Sequence, residues 1–329
     1  MATADGFTMA SFKEMAGRDS YGKMLAQCGE EDERLVVLNA DCQHPTRATL
    51  FAERFPDRNF NFGIAEANMI SAAAGMAIAG KIPVAAGFGF AISLRVAEQI
   101  RTNVCYPNHN VKVVTTATGL SMGTGGPTHH CIEDLALMRG IPNITIVCPA
   151  SPIENALATR ACLLEHEGPV YLRLVRGEDF GGTDEIYEQA DIDFEIGKAI
   201  TLRDGEDITL MAHGNSVGLA LLSAAQLAQK GIGARVVNMH TVKPLDKEAI
   251  WEAAERTRGI VTIEENNVCG GFGEAVAAVM AGKKGSPLVP VRLVGIQDEF
   301  CKIGASLDLW QAHGLREQTV VAAALDILN

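Results

Sequence analysis

The sequence predicts an α/β protein with two doubly wound domains, each built on a mostly parallel sheet. The first observation is length, because 329 residues accommodate two domains of roughly 150 residues each. The second is that short apolar runs alternate with longer segments of helical spacing, which is typical of parallel strands covered by helices on both faces. The third is composition, with 47% hydrophobic residues, only 5% aromatic residues and 33 glycines. This composition favours helices that pack closely on a sheet.

We place the first domain at residues 1–180. A helix is predicted around Ser20–Cys28, and the GFGF segment at residues 87–90 is predicted to be a turn that leads to a helix at Ile92–Val104. Binding sites in parallel sheets form where strands end. The predicted strands are Arg34–Asn39, Ile82–Ala86, Val111–Thr116, Ile144–Cys148 and Val170–Leu174.

A polar, turn-rich stretch at residues 181–196 is interpreted as a linker, and the second domain is placed at residues 197–329. Strands and helices alternate there as in the first domain, which again predicts a mostly parallel sheet. The CGGFG turn lacks the full GxGxxG pattern and does not indicate a dinucleotide site. The predicted strands are Ile208–Ala212, Ala234–Met239, Ile260–Ile263 and Val291–Val294.

Charge and cysteine usage exclude several classes of protein. A net charge of -12 without a basic cluster argues against nucleic acid as a partner. We find no apolar run long enough to cross a bilayer and no signal-peptide pattern at the start, so a cytoplasmic protein is predicted. The eight cysteines are scattered without a CxxC pair. They fit reduced thiols better than disulfides or a zinc site.

The segment NFGIAEANMISAAAGMAIAG, residues 61–80, reads as a helix of small apolar residues with one carboxylate, Glu66, near its start. Because apolar residues fill almost every position after Asn68, the helix is expected to be buried on all sides. A glutamate in such a dry environment is suited to share a proton with a partner. The alternative is that Glu66 only complements the helix dipole.

The segment from residue 119 to 140, GLSMGTGGPTHHCIEDLALMRG, is predicted to be a glycine-rich loop that leads into a helix. His129 lies at this junction, where the loop could aim its imidazole at a ligand. A solvated surface turn is the alternative. Neighbouring side chains point in different directions, so His129, His130 and Cys131 are not predicted to bind a metal ion together.

Together these segments resemble the C-terminal half of the transketolase family. The resemblance is carried by ADCQHPTR, FPDRNFNFGIAEANM, AAGFGF, GGPTHHCIEDLALMRG and VTIEENNVCGGFGEAV, in that order, and it covers essentially the whole chain. The form most similar to this chain is the small subunit of split, two-chain transketolases. The deoxyxylulose phosphate synthases and the β subunits of 2-oxoacid dehydrogenases are more distant relatives.

The resemblance implies dependence on thiamine diphosphate, with a pyrimidine-binding first domain and a transketolase C-terminal second domain. Glu66 then corresponds to the glutamate that hydrogen-bonds the aminopyrimidine and stabilises its imino tautomer. Phe88 corresponds to an aromatic that stacks on the pyrimidine. The family often has a second aromatic at the position of Ala91, for which Phe90 can substitute. Asp41 corresponds to an acid near the cofactor.

The resemblance also assigns the substrate side of the site. His129 corresponds to the histidine that contacts the hydroxyls of the donor sugar and the reaction intermediate. Arg18 and Arg176 correspond to arginines that hold a sugar phosphate, which suits a planar bidentate donor. Gln43 completes the predicted substrate-binding set. Both arginines have a plain alternative as solvated surface charges.

The chain has no GDG segment followed, at the family's spacing, by paired asparagines, the motif with which the family holds Mg²⁺ and the diphosphate. The resemblance therefore implies a second subunit that carries this domain, an active site at the interface, and an α2β2 assembly. The implied activity is the transfer of a two-carbon ketol unit from a ketose to an aldose phosphate, with thiamine diphosphate and Mg²⁺ as cofactors.

Three positions depart from the family. Pro45 replaces a phosphate-binding serine, Ala117 a histidine, and Gly125 an aspartate that reads the configuration of the donor hydroxyls. Loss of a buried hydroxyl reader changes discrimination strongly. We therefore expect an unusual donor, such as a branched or sulfonated ketose. A 2-oxoacid dehydrogenase β subunit and a non-catalytic family member are the alternatives.

Overall fold

The protein is described by a computed structural model that covers residues 12, 15–176, 194–282 and 288–329. Most of the predicted linker, residues 181–193, lies outside the described residues. Within those residues the chain forms two sheets with helices on both faces. The predicted fold class, two doubly wound and mostly parallel α/β units, is confirmed.

The first sheet contains seven strands within the described residues, in the order β10-β5-β6-β4-β3-β1-β2. All neighbouring pairs are parallel except β10 with β5. Strands β1, β4 and β6 are buried at every position, which explains the apolar run in each, although β4 also buries Lys112 and β6 buries Arg173. The strands are β1 (Leu35–Asn39), β2 (Asn59–Asn61), β3 (Ile82–Phe88), β4 (Lys112–Thr116), β5 (Thr145–Val147), β6 (Val170–Arg173) and β10 (Thr241–Lys243).

The second sheet has the order β12-β11-β8-β9-β7, with β7 antiparallel to β9 and the other pairs parallel. Because β10 follows β9 in the chain but joins the first sheet, the two halves of the molecule are linked by strand pairing, with Thr241 opposite Val147. The strands are β7 (Ile200–Arg203), β8 (Ile208–Ala212), β9 (Ala234–Asn238), β11 (Ile260–Asn267) and β12 (Val291–Ile296).

The helices connect these strands and cover both sheets. In the first half they are α1 (Gly17–Glu31), α2 (Thr49–Arg54), α3 (Glu66–Ile78), α4 (Gly89–Arg95), α5 (Ala97–Gln99), α6 (Asp134–Gly140) and α7 (Pro152–Arg160). In the second half they are α8 (Ser216–Ala228), α9 (Lys247–Arg256), α10 (Phe272–Gly282), α11 (Ser306–Ala312) and α12 (Glu317–Leu328). Among the described helices, none is both long and apolar enough to cross a bilayer.

The predicted turn at residues 87–90 is wrong. Strand β3 continues to Phe88 and helix α4 begins at the next residue, Gly89. The glycines here allow close packing, because a Cβ atom at Gly87 would lie 2.8 Å from Ile92 and one at Gly89 would lie 2.8 Å from the sulfur of Cys131. This tight junction brings the two phenylalanines of the segment to the edge of the sheet.

The expectation that the Glu66 helix is buried on all sides is also wrong. One face of α3 packs into the core through Met69, Ile70 and Ala73. The opposite face is open, and Ile78 is 72% exposed. Ala67, Gly75 and Ile78 are exposed although these residue types are often buried, so the apolar sequence does not reveal which face of the helix is covered.

Candidate active site

The predicted site residues other than Arg18 follow the carboxyl ends of strands in the first sheet, where the helices begin and parallel sheets form their sites. In chain order, Asp41 and Gln43 follow β1, Glu66 follows β2, Phe88 and Phe90 lie at the end of β3, His129 lies in the long loop after β4, and Arg176 follows β6. The topology therefore gathers residues from five strands at one edge.

Glu66 is the first residue of α3 and is only 8% exposed. Nη1 of Arg95, at the end of α4, donates to its Oε1 at 3.1 Å. Among the described residues, Oε2 has no hydrogen-bond partner. The carboxylate is thus fixed by one oxygen and leaves the other open to a ligand.

The turn before α3 is organised by Asn61. Its Oδ1 accepts the backbone N–H groups of Asp41 and Gly63, each at 3.0 Å, which ties the end of β1 to the approach to α3. Asp41 adopts a φ of 59°. Burial raises the pKa of the neighbouring Cys42 thiol, and the negative charges of Glu66 and Asp41 raise it further. The carboxylates of Glu66 and Asp41 therefore both lie close enough to Cys42 to raise the pKa of its thiol.

Gln43 links the ends of two strands. Its Oε1 accepts hydrogen bonds from Nδ2 of Asn39 at 3.5 Å and from Nδ2 of Asn59 at 3.0 Å. Asn39 ends β1 and Asn59 begins β2. In this chain Gln43 therefore holds the strand ends in position, and its predicted contact with substrate stays a prediction.

Phe88, Phe90 and His129 form one aromatic cluster. The rings of Phe88 and Phe90 are nearly parallel, with centroids 5.9 Å apart and an interplanar angle of 12°. The centroid of the His129 ring lies 4.6 Å from that of Phe90. Oγ1 of Thr128 lies 3.0 Å from Nδ1 of His129. The histidine predicted to contact substrate thus lies directly beside the aromatics predicted to contact the cofactor.

The backbone of the glycine-rich loop sets the position of His129. Its N–H donates to the carbonyl of Gly126 at 2.8 Å, and Gly126 adopts a φ of 75° that suits glycine. A Cβ atom at Gly125 would lie 2.8 Å from Cβ of His129. A Cβ atom at residue 125 would therefore require a shift of His129 or of the loop around it.

The arginines form a positive group at the other side of the site. Arg18 donates from Nη1 to the carbonyl of Pro45 at 3.5 Å, and its Nε is buried without a partner among the described residues. Burial lowers the pKa of Arg18, and the charges of Arg47 and Arg176 lower it further. Arg47 is ion-paired with Asp19. Arg18 thus lies within electrostatic range of both Arg176 and Arg47, and the predicted role of Arg18 and Arg176 in holding a sugar phosphate stays a prediction.

Matches to family models decide which family this arrangement belongs to. The model described as transketolase, pyrimidine binding domain, matches residues 13–178, and the model described as transketolase, C-terminal domain, matches residues 197–320. This chain belongs to the transketolase family.

Similar transketolase-family chains include subunits of split enzymes. A 6-deoxy-6-sulfo-D-fructose transketolase subunit from Clostridium sp. strain MSTE9 is 39% identical over 94% of each chain. A putative transketolase C-terminal section from Methanocaldococcus jannaschii is 39% identical over 94% of this chain and 95% of its own. A solved split gene transketolase, an inactive beta4 tetramer, has a TM-score of 0.83 and 39% identity over 95% of this chain and 98% of that chain.

Transketolase-family members use thiamine diphosphate, and the residues present fit its pyrimidine end. The open Oε2 of Glu66 suits an aminopyrimidine, and the nearly parallel rings of Phe88 and Phe90 offer a stacking surface. Within the described part of the chain, no three His, Cys, Asp or Glu side chains are arranged to hold a metal ion. The chain therefore offers groups for the pyrimidine and no described cluster for a divalent cation.

Two residues of the site were not predicted from the transketolase motifs. Arg95 lies on the helix that follows Phe88, and Arg47 lies two positions after Pro45. Both are ordinary exposed arginines by local pattern. Only the fold shows that Arg95 contacts Glu66 and that Arg47 acts on Arg18.

Proposed function

We propose that this chain is the subunit of a thiamine-diphosphate-dependent transketolase that carries the pyrimidine-binding domain (residues 1–180), a linker (181–196) and the transketolase C-terminal domain (197–329). It transfers a two-carbon ketol unit from a ketose to an aldose phosphate. The single observation that carries this proposal is the buried Glu66 carboxylate, which Arg95 holds at Oε1 and which is open at Oε2. The family matches to residues 13–178 and 197–320 support the domain division.

Bound thiamine diphosphate supplies the electron sink for breaking and remaking the carbon–carbon bond. The role of Glu66 is to exchange a proton with the aminopyrimidine through Oε2, while Arg95 keeps the carboxylate in one orientation. Burial makes this proton transfer efficient because water does not compete for the carboxylate. Phe88 and Phe90 hold the pyrimidine plane by stacking, and Asp41 supplies a charge near the same region.

On the substrate side, His129 donates or accepts hydrogen bonds at the hydroxyls of the donor sugar. Arg18 and Arg176, with Arg47 beside them, hold the anionic end of the substrate through charge-assisted hydrogen bonds. Gln43 completes this side of the site. Burial is the main cause of the lowered pKa of Arg18, and the charges of Arg47 and Arg176 add to it; an anion bound among these arginines would offset both effects, which supports this role.

The proposed donor is a branched or sulfonated ketose. Gly125 leaves no side chain to read the donor hydroxyls, and Pro45 offers only its carbonyl, which accepts from Arg18. A sulfonate needs only cationic donors, which the three arginines provide. The similarity to a 6-deoxy-6-sulfo-D-fructose transketolase subunit supports the sulfonated form.

The proposed assembly is an α2β2 complex in the cytoplasm, in which a second subunit holds Mg²⁺ and the diphosphate. The similar solved split gene transketolase is an inactive beta4 tetramer, which supports the need for a different partner chain. The eight free cysteines, six of them buried, support a reducing compartment.

The test is to combine this chain with the subunit that carries the diphosphate domain and to assay four substrates: a sulfonated ketose, a branched ketose phosphate, xylulose 5-phosphate and pyruvate. Ketol transfer is expected with one of the first two and only with both chains present. Equal turnover of xylulose 5-phosphate would contradict the unusual donor. Pyruvate decarboxylation would favour a 2-oxoacid dehydrogenase subunit, and no activity on any substrate would favour a non-catalytic member.

A further inference from the structure

The loop that carries His129 is closed at its base. We call residues 119–131 the His129 loop. Gly119 and Cys131 exchange two backbone hydrogen bonds, each with an N···O distance of 2.9 Å, and form an isolated antiparallel bridge. Because the two ends are hydrogen-bonded to each other, a displacement of one end would also displace the other.

The second half of the molecule binds both peptide groups of one residue in this loop, Leu120. The N–H of Leu120 donates to Oε1 of Glu265 at 2.9 Å, and the carbonyl of Leu120 accepts from Oγ of Ser306 at 2.9 Å. Glu265 lies near the end of β11 and Ser306 begins α11. Both the donor and the acceptor of one buried loop residue are thus used by the C-terminal half of the chain.

Further contacts between the two halves surround this point. The N–H of Gly304 donates to the carbonyl of Gly123 at 3.3 Å, and the N–H of Asn267 donates to the carbonyl of Ile132 at 2.9 Å. The C-terminal half therefore contacts the loop at its start, and it contacts the chain directly after the loop.

Within the loop, the same constraint reaches Arg176. Oγ of Ser121 donates to the carbonyl of Thr118 at 2.6 Å and accepts the backbone N–H of Arg176 at 3.3 Å. Ser121 is the residue next to Leu120. A shift of Leu120 would therefore displace the attachment of Arg176 as well as the loop that carries His129.

The geometry of the Glu265 carboxyl group is asymmetric. Oε1 accepts both from Leu120 and from Nε1 of Trp310, the latter at 2.7 Å. Oε2 has no hydrogen-bond partner among the described residues and lies against Gly119, where an added Cβ atom would be 2.4 Å from it. Within the described part of the chain, Oε1 therefore makes both hydrogen bonds of this carboxyl group, and Oε2 makes only packing contacts.

This asymmetry fits a carboxyl group that carries a proton on Oε2. Burial raises the pKa of Glu265 to about 7, the charge of Asp134 raises it too, and Arg173 and the two donors act in the opposite direction. A glutamine has the same shape and offers the same single acceptor oxygen. The neighbouring Glu264 differs, because each of its oxygens accepts one N–H at the start of α10, from Phe272 and Gly273.

We propose that Glu265 is a positioning residue for the active site: by holding the peptide N–H of Leu120, it lets the C-terminal domain set where His129 and Arg176 lie. The effect on sugar turnover rests on the proposed function, whereas the effect on the loop does not. The competing explanation is that Glu265 only joins the two halves of the molecule and that the His129 loop keeps its place without it.

The test uses the full chain and four variants: Glu265→Gln, Glu265→Leu, Ser306→Ala and, as a control, Glu264→Gln. Hydrogen exchange is measured on peptides from the His129 loop relative to peptides from β8. We expect Glu265→Gln to exchange like the unchanged chain, Glu265→Leu to exchange at least about tenfold faster in the loop alone, and Ser306→Ala to show a smaller increase. Glu264→Gln should lower the melting temperature without loosening the loop.

With the partner subunit present, the same variants are assayed for ketol transfer. Glu265→Leu should lower kcat/KM for the donor about tenfold, whereas Glu265→Gln should keep the kcat/KM of the unchanged chain. The affinity for the cofactor should be unchanged in both variants. Unchanged loop exchange in Glu265→Leu would overturn the proposal. If that variant does not fold, unchanged exchange in Ser306→Ala would overturn it. A loosened loop in a chain that lacks ketol transfer would leave the positioning role standing and contradict the proposed function.

Discussion

Helix α3 is less buried than its sequence predicts, whereas the His129 loop is more buried than a solvated surface turn. The apolar α3 sequence predicts full burial, yet one face of the helix is open and Ile78 projects from it. The glycine-rich loop is compatible with a solvated surface turn, yet Leu120, Cys131 and the ring of His130 are buried, and the C-terminal half holds the loop from outside. The composition of a segment therefore does not by itself determine its burial, which depends on the elements that pack against it.

The comparison also separates the two chemical roles of the site. Glu66 is fixed by a strand end, a helix start and one arginine, all within the first half of the molecule. His129 depends on glycines for its place beside Phe90 and on residues more than a hundred positions away for the loop that carries it. We therefore expect the proton-transfer side to be robust and the donor side to be sensitive to distant changes.

The largest expected effect distinguishes the two faces of α3. Met69→Ala removes a fully buried side chain and should lower the free energy of unfolding by about 2–5 kcal/mol. Ile78→Ala removes an exposed side chain and should change it by less than about 0.5 kcal/mol. Chemical denaturation of the isolated chain measures both values. Similar losses for both variants would show that α3 is covered on both faces in solution.

A smaller effect is expected at the glycine beside His129. Gly125→Ala places a Cβ atom 2.8 Å from Cβ of His129 and should displace the imidazole from Phe90. We expect kcat/KM for the ketose to fall about 10–100-fold, because small misplacements of contact groups have effects of this size. The matched control is Gly140→Ala, since nothing lies within 4 Å of a Cβ atom there. Full activity of the Gly125 variant would mean that the loop adjusts freely.

The smallest effect is a dependence of stability on pH. The pKa of Glu265 is raised to about 7 in the folded chain, so folding favours the protonated form. Its contribution is complete below the pKa of the unfolded chain and is lost as the pH rises through about 7. Between pH 6 and pH 8 this one group should lower the free energy of unfolding by about 1 kcal/mol.

Glu265→Gln does not titrate and should flatten that part of the profile. The remaining slope comes from other buried groups: burial also raises the pKa of Glu264 to about 7, and it lowers the pKa of His213 to about 3 and that of His240 to about 4, which acts in the opposite direction. Thermal melts of the unchanged chain and the variant across this pH range provide the measurement. Identical slopes would show that Glu265 is ionised throughout.

Much of the fold follows from short apolar runs, because strands buried on both faces are mostly apolar, although β4 and β6 also bury Lys112 and Arg173. Strand β8 was predicted at its observed bounds and β4 to within one residue. The short strands β2, β7 and β10 were missed, since segments such as NFN and TVK carry no such run and pair only because a neighbouring strand is present. The exchange of β10 into the first sheet is a tertiary event that no local pattern indicates.

In the candidate site, too, some residues can be predicted from local motifs and others depend on tertiary packing. Glu66, Phe88 and His129 can be found from the sequence because each belongs to a recognisable motif. The structure shows that the rings of Phe88, Phe90 and His129 lie side by side. Glu265 was within a recognised motif but had no assigned role. Its partner Leu120 is 145 positions away, so their contact depends on how the two halves of the molecule pack.

The proposed function depends on proton exchange between Glu66 and the aminopyrimidine of thiamine diphosphate. The most direct measurement is ketol transfer by the two-chain complex with Glu66→Gln, beside Glu98→Gln as a control for loss of an exposed carboxylate. We expect kcat to fall about 10²–10⁴-fold in Glu66→Gln, the range for loss of a general acid or base, with an unchanged melting temperature and a fully active control. Undiminished ketol transfer by Glu66→Gln would contradict it.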